Sequence, residues 1–210
     1  MAARSQHVLL YPCNIVGYVR LLMLITAVLA VGLTDNWETT LSPTARWLIA
    51  IWLFVCLLIL DILDGYLARR FQHSTQFGAL FELTLDLLTH TFVWYLSGLS
   101  FAWLIILIEW VTGLYIAAFT LRPDQSWKIT LSEHGPWLVR QFWRPASINW
   151  LNDYSNLAHF LVPISLFLFG QPNWLTWLML PGLIIYEVVT LYMAYTFLRI
   201  LVNEATPANQ

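Results

Sequence analysis

The segment from Asp61 to Asp86 places acidic residues at helical spacings within an otherwise apolar chain. Asp61 and Asp64 are close enough in sequence that one face of an α-helix presents both carboxylates. Glu82 and Asp86 follow at a spacing that puts them along one stripe of a second helix. Carboxylates gathered in a low-dielectric setting need a compensating cation. We therefore expect a pair of divalent metal ions, and all-oxygen ligands favour Mg²⁺ or Mn²⁺ over zinc.

Composition places the chain among integral membrane proteins. Of its 210 residues, 59% are hydrophobic and only 10% are charged, which lies outside the range of soluble proteins. The net charge of −2 and the scattered basic residues argue against a nucleic-acid partner. The cysteines are Cys13 and Cys56, so neither a disulfide framework nor a thiolate metal site is expected.

The apolar runs predict an all-α membrane protein with six transmembrane helices. We expect the spans at residues 15–33, 46–70, 75–97, 101–121, 148–169 and 174–201. They form one membrane domain over 14–203, between a short amphipathic leader (1–13) that lies along the lipid headgroups and a disordered tail (204–210). A short interfacial helix is expected near 137–143. Asn14 is expected to cap the first span, and Arg20 within it must meet an acid or reach the interface.

Six spans bring most basic residues to one side of the membrane. That side receives Arg4, Arg69, Arg70, Arg122, Lys128, Arg140, Arg144 and Arg199, and the opposite side receives Arg46. The positive-inside rule then makes the acid-rich side cytoplasmic, or matrix-facing in an organelle. The endoplasmic reticulum membrane is the expected location, and the mitochondrial inner membrane is the alternative. The chain shows no internal repeat, which disfavours an inverted-repeat transporter.

The acidic segment resembles the signature of the CDP-alcohol phosphatidyltransferase family, D-x2-D-G-x2-A-R-x8-G-x3-D-x3-D. The positions that match are Asp61, Asp64, Gly65, Ala68, Arg69, Gly78 and Asp86. Glu82 stands where the family has aspartate. The opening LYPCNIVGYVRLL and the later SWK and PWLVRQFW are similar to the eukaryotic phosphatidylinositol synthase branch of that family.

The resemblance implies transfer of a phosphatidyl group from CDP-diacylglycerol to an alcohol, inositol in this branch, with release of CMP. It implies that two metal ions are held by Asp61, Asp64, Glu82 and Asp86, with Asp86 also the base for the attacking hydroxyl. The substrate contacts that it implies are Gly65, Ala68, Arg69, Gly78, Lys128 and Arg140. It also implies a homodimer embedded among membrane lipids.

Departures from the family motif at Glu82, and from the phosphatidylinositol synthase branch at three further positions, support a second hypothesis. Glu82 extends its carboxylate by one methylene, Leu87 stands where an arginine is usual, and Glu109 and Gly113 replace an aspartate and a histidine. The alternative is a catalytically impaired member that serves as a lipid-binding or structural subunit of a larger membrane complex. Bound divalent ions would favour the enzyme, whereas a site filled by a side chain or by lipid tails would favour the subunit.

Polar residues within the spans also have structural interpretations. For Glu82, the alternative to metal ligation is an ion pair with Arg20 or Arg69. His159 and Glu187 are expected to be hydrogen-bonded groups between packed helices and not ligands.

Overall fold

The computed structural model describes residues 8–121, 127–145 and 148–205, with the backbone alone for 127–130 and 203–205. Helices make up 84% of the structure and no described residue lies in a strand, which confirms the all-α class. In chain order the helices are α1 (Pro12–Gly32), α2 (Trp37–Thr40), α3 (Pro43–Phe54), a π turn (Val55–Ile59), α4 (Leu60–Arg70), α5 (Gln76–Leu96), α6 (Ala102–Thr120), α7 (Trp127–His134), α8 (Trp137–Phe142), α9 (Trp150–Phe169) and α10 (Trp174–Ala205).

Four stretches of the described chain are long and apolar enough to cross a membrane. They are Pro12–Gly32, Pro43–Arg70, Ala102–Thr120 and Trp174–Val202. The second stretch joins α3, the π turn and α4. Helices α5 and α9 have 21 and 20 residues, enough to span a hydrocarbon core of about 30 Å, but both carry several polar side chains. The count of six spans therefore stays a prediction.

The first of two compact units ends at Gly98. Within it, α1 packs against α3, α4 and α5. The contact with α5 is close at Gly17, where an added Cβ would lie 2.6 Å from Cε1 of Phe81. Leu53, Leu85 and Val93 are fully or almost fully buried in this unit. This packing fixes α1 beside the two helices that carry the acidic motif.

The start of α1 differs from the expectation that Asn14 caps it. Tyr11 is the N-cap residue and Pro12 occupies the first turn, where a missing N–H costs nothing. Asn14 lies inside the helix, and its Nδ2 donates a hydrogen bond of 2.6 Å to the carbonyl of Val8. Asn14 thus ties the turn at residues 8–10 to α1 and does not cap it.

Thr75 sets the start of α5. Its Oγ1 accepts a hydrogen bond of 3.0 Å from the backbone N–H of Gly78, which is the usual N-cap arrangement. The helix then runs without a break to Leu96. Glu82 and Asp86 consequently lie one turn apart on a continuous helix, as their spacing predicts.

The second compact unit begins at Leu99 and contains α6 to α10. Its most extensive packing joins α9 to α10, with Gly182 so close to Ala158 and Tyr154 that an added Cβ would lie 2.8 Å from each. Helix α8 confirms the short helix expected near 137–143, whereas α7 was not expected. Helix α10 extends to Ala205, into the expected tail, and residues 206–210 lie outside the described residues.

Candidate functional site

Three acids of the motif converge between α4 and α5. Asp61 and Asp64 from α4 and Glu82 from α5 each offer a carboxylate oxygen, and these oxygens all lie within 4.8 Å of one another. Asp64 is buried, Asp61 is partly buried and Glu82 is exposed. The helical spacing therefore brings these acids together as predicted.

Arg20 of α1 lies inside the acidic cluster and is only 1% exposed. Its Nη1 is 2.9 Å from Oδ1 of Asp61 and 2.7 Å from Oδ2 of Asp64. Its Nη2 is 2.6 Å from Oδ1 of Asp86. The expectation that Arg20 meets an acid is thus confirmed, and a single guanidinium contacts the acids of both helices.

The π turn supplies a further contact to Arg20. The Nε of Arg20 donates a hydrogen bond of 3.1 Å to the carbonyl of Cys56, and Cys56 Sγ donates to the carbonyl of Arg20 at 3.4 Å. A π turn inserts an extra residue into a helix and is frequent at functional sites. The uniformly apolar run from Val55 to Ile59 gave no signal for it.

Glu82 and Asp61 retain oxygen atoms that could hold a cation. Asp61 Oδ1 is buried and, despite its ion pair with Arg20, receives no hydrogen bond from any residue the structure describes. Among the described residues, the Glu82 side chain has no hydrogen-bond partner and no basic nitrogen within 4.0 Å, so the alternative of an ion pair with Arg20 or Arg69 was wrong. A buried acceptor without a hydrogen-bond donor, such as Asp61 Oδ1, is costly. Because oxygens of Asp64 and of the exposed Glu82 lie within 4.8 Å of Asp61, these residues together fit a divalent cation.

A cavity of about 120 Å³ adjoins the acids. Its walls include Asp64 and Glu82 together with two small residues of the motif, Ala68 and Gly78. A Cβ on Gly78 would lie 3.3 Å from Oδ1 of Asn14, so glycine allows the walls to approach closely here. The cavity can admit a small polar or planar group directly beside the carboxylates.

Arg69 lies over Gly65 at the end of α4. A Cβ on Gly65 would lie 3.2 Å from Nη1 of Arg69, so the absence of a side chain leaves room for the guanidinium. Arg69 is exposed. An exposed guanidinium at this position can bind an anion such as a phosphate.

Two of the residues that the family resemblance implies as substrate contacts belong to the second unit. Arg140 is exposed on α8. Lys128 lies in α7, and its side chain is outside the part of the chain that the structure describes. Their proposed contacts with substrate stay predictions.

The second unit contains a buried polar network that joins three helices. His159 of α9 lies 3.4 Å from Glu109 of α6 and 3.0 Å from Glu187 of α10. The Tyr186 hydroxyl donates to Glu109 at 3.2 Å, and its ring stacks on the imidazole with centroids 4.0 Å apart. His159 and Glu187 are thus hydrogen-bonded packing groups, as expected, and Glu109 joins them.

Comparisons with known proteins agree with the motif. A family profile described as CDP-alcohol phosphatidyltransferase matches residues 10–137, more than half of the chain. The CDP-diacylglycerol–inositol 3-phosphatidyltransferase of Saccharomyces cerevisiae is 33% identical over 82 residues. That region covers 39% of this chain and 32% of the yeast protein, so the match spans about a third of that relative's length. No solved structure matches the chain significantly.

Proposed function

The chain belongs to the CDP-alcohol phosphatidyltransferase family, and from that premise we propose that it transfers a phosphatidyl group from CDP-diacylglycerol to inositol and releases CMP. One observation carries the proposal: Asp61, Asp64 and Glu82 converge at the motif positions of that family, with oxygens within 4.8 Å of one another. The name of the yeast relative and the likeness to the phosphatidylinositol synthase branch support inositol as the acceptor.

The reaction joins the alcohol oxygen to the phosphatidyl phosphorus and breaks the bond from that phosphorus to the CMP oxygen. Mg²⁺ or Mn²⁺, when bound by Asp61, Asp64 and Glu82, supplies positive charge to the attacking and leaving oxygens. Oδ1 of Asp86 lies 2.6 Å from Nη2 of Arg20. In our proposal its other oxygen, Oδ2, takes the proton of the attacking hydroxyl.

The substrate positions follow from the small residues and the exposed cations. We place the nucleotide beside Gly65, Ala68 and Gly78, where the helix backbones can be approached closely. Arg69 would bind its phosphates. Lys128 and Arg140 remain candidates for contacts with the acceptor or a phosphate.

The acyl chains of CDP-diacylglycerol would remain in the bilayer. Leu22, Val28 and Leu29 of α1 are among the exposed apolar side chains and would contact membrane lipids. We propose a multi-pass protein of the endoplasmic reticulum membrane, or of the mitochondrial inner membrane, that forms a homodimer. Its acidic site would face the cytoplasm or the matrix.

One observation favours a second candidate function, an accessory subunit that retains the fold without activity. The side chain of Arg20 contacts Asp61, Asp64 and Asp86, and a side chain within the site is the feature expected of such a subunit. Under this alternative the guanidinium would neutralise the acids permanently, and the chain would act within a larger membrane complex.

Release of CMP distinguishes the two functions. We expect purified protein to release CMP from CDP-diacylglycerol in the presence of inositol and Mn²⁺. Asp64→Asn should reduce the rate by at least about a hundredfold because a buried ligand is lost. Asp153→Asn, which alters an exposed aspartate of α9, is the matched control and should retain the rate. Folded wild-type protein that releases no CMP would favour the accessory subunit.

A further inference from the structure

A histidine in the loop between α4 and α5 belongs to the cavity beside the acids. His73 forms part of the cavity wall, together with Asp64 and Glu82. Its backbone N–H donates a hydrogen bond of 2.9 Å to the carbonyl of Ala68 on α4. Gln72, just before it, has a φ of 56°, a left-handed conformation that is uncommon for residues other than glycine. This turn fixes the point at which the His73 side chain joins the wall.

Ring stacking holds the imidazole of His73. Tyr11, the N-cap residue of α1, lies against it with ring centroids 3.8 Å apart and an interplanar angle of 12°. Phe71 is a second ring neighbour, with centroids 5.9 Å apart and an angle of 27°. Rings that stack cover each other's faces. Hydrogen bonding is therefore left to the edge of the imidazole, where its two nitrogens lie.

One nitrogen of this imidazole has no partner in the described part of the chain. Nδ1 of His73 is buried and forms no hydrogen bond with any described residue. A buried polar atom without a partner costs free energy, and most such atoms in folded proteins are satisfied. A polar ligand in the cavity would supply the missing hydrogen bond.

The loop and the acids lie at different levels of the two helices. Asp64 is six residues before the end of α4 at Arg70, and Glu82 is six residues after the start of α5 at Gln76, which is about 9 Å along each helix. Phosphate oxygens and carboxylates repel each other unless a cation lies between them. The cation and the phosphates of a nucleotide therefore belong beside the acids, and the uncharged part of the nucleotide belongs beside the loop at His73.

We propose that His73 binds the pyrimidine base of the substrate nucleotide, with Nδ1 accepting a hydrogen bond from the exocyclic amino group of cytosine. The cavity of about 120 Å³ suits one flat ring at this end. Uracil carries an oxygen in place of that amino group and cannot donate this hydrogen bond. His73, at an unspecified position of the family signature, is thus a determinant of base specificity. The inference rests on the proposed function for the identity of the ligand.

Binding of CMP and UMP to purified protein tests the inference, with isothermal titration calorimetry in detergent and Mn²⁺. We expect wild-type protein to bind CMP about tenfold more tightly than UMP, as one hydrogen bond allows. His73→Phe keeps a ring that can stack on Tyr11 but removes the nitrogens. It should weaken CMP binding about tenfold and UMP binding less than about threefold. His134→Phe, which alters an exposed histidine of α7, is the matched control and should bind both nucleotides as wild type does.

Further variants distinguish base binding from a structural role of His73. His73→Gln keeps a hydrogen-bond acceptor without the ring, and it should bind CMP at least about threefold more tightly than His73→Phe. If His73→Phe does not fold, Tyr11→Ala removes the stacked ring and should weaken CMP binding, whereas Tyr11→Phe should not. Unchanged CMP affinity in folded His73→Phe or Tyr11→Ala, equal weakening of CMP and UMP, or no advantage of His73→Gln would each overturn the inference.

Binding and turnover together separate this inference from the proposed function. Selective loss of CMP binding in His73→Phe, with a wild type that forms no phosphatidylinositol, would support the base site and refute the proposed function. An equal KM for CDP-diacylglycerol in active His73→Phe and wild type would refute the base site and leave the proposed function intact. Folded wild-type protein that neither binds CMP nor forms phosphatidylinositol would overturn both.

Discussion

At the residue scale, Glu82 is the departure from the family motif that bears most directly on activity. Its longer side chain brings a carboxylate oxygen into the group formed by Asp61 and Asp64. No hydrogen bond from the described residues holds it elsewhere. We propose that glutamate at this position is a metal ligand and does not impair the site.

Shortening Glu82 tests this interpretation. Glu82→Asp withdraws the carboxylate by more than about 1 Å, and misplacement of that size costs on the order of a hundredfold in rate. We expect weaker Mn²⁺ binding and slower CMP release. Glu133→Asp, at an exposed position of α7, is the matched control. Faster CMP release by Glu82→Asp would show instead that glutamate impairs an otherwise intact site.

At the element scale, α1 is the helix that brings Arg20 to the acids. It can do so because Gly17 lets it approach Phe81 on α5, with an added Cβ at 2.6 Å from the ring. Gly17 lies one turn before Arg20, so the close approach and the ion pairs occur at neighbouring levels of the same helix. Separation of α1 from α5 would pull the guanidinium away from Asp86.

A pair of glycine variants measures the importance of this approach. Gly17→Ala forces the Phe81 ring or the helix to move, and overpacking of this kind costs about 1–3 kcal/mol. Gly32→Ala, also in α1, has no atom within 4 Å of the added Cβ and should be neutral or stabilising by up to about 1 kcal/mol. Thermal unfolding in detergent measures the change in stability that each substitution causes. Equal stabilities would mean that the α1–α5 contact is not tight.

Much of the site could be predicted because its chemistry depends on helical spacing. The spacings of Asp61 with Asp64 and of Glu82 with Asp86 require only regular helices, and both helices formed. Arg20 was expected to meet an acid or reach the interface, but the sequence cannot show that one guanidinium contacts both α4 and α5. That contact depends on the π turn and on tertiary packing at Gly17.

The sequence predictions were wrong or incomplete at the start of α1 and in the polar segments between the long helices. Asn14 was expected to cap α1 because asparagine favours that position, yet Pro12 starts the helix and Asn14 bonds to Val8 instead. The short helices α2 and α7 lie in polar segments whose hydrophobic periodicity is too brief to be recognised. His159 and Glu187 were expected to be hydrogen-bonded packing groups because polar groups are costly within apolar spans, but their contact with each other and with Glu109 was not predicted.

At the scale of the whole molecule, the number of membrane crossings remains to be measured. Four stretches qualify by length and hydropathy, and α5 and α9 are long enough but more polar. The acids of α5 lie in the candidate site, and the proposed function would account for the polarity of this helix. We propose that both helices cross, which gives six spans and places both chain ends on the side of the acids.

Labelling of single cysteines tests whether α5 crosses the membrane, as six spans require. With Cys13 and Cys56 replaced by alanine, Thr44→Cys and Arg70→Cys should react with a membrane-impermeant maleimide from opposite sides of sealed vesicles. Six spans place Ser100→Cys on the side of Thr44→Cys, because α5 then crosses. Reaction of Ser100→Cys from the side of Arg70→Cys would show that α5 does not cross.

Transfer of phosphatidyl groups to inositol by this chain is established or excluded by measuring both products of one reaction. Purified protein is incubated with CDP-diacylglycerol, inositol and Mn²⁺, and CMP and phosphatidylinositol are quantified by mass spectrometry. We expect equal amounts of CMP and phosphatidylinositol, with neither formed when inositol or Mn²⁺ is omitted. Folded, Mn²⁺-loaded protein that forms no phosphatidylinositol would show that this chain is not an inositol phosphatidyltransferase.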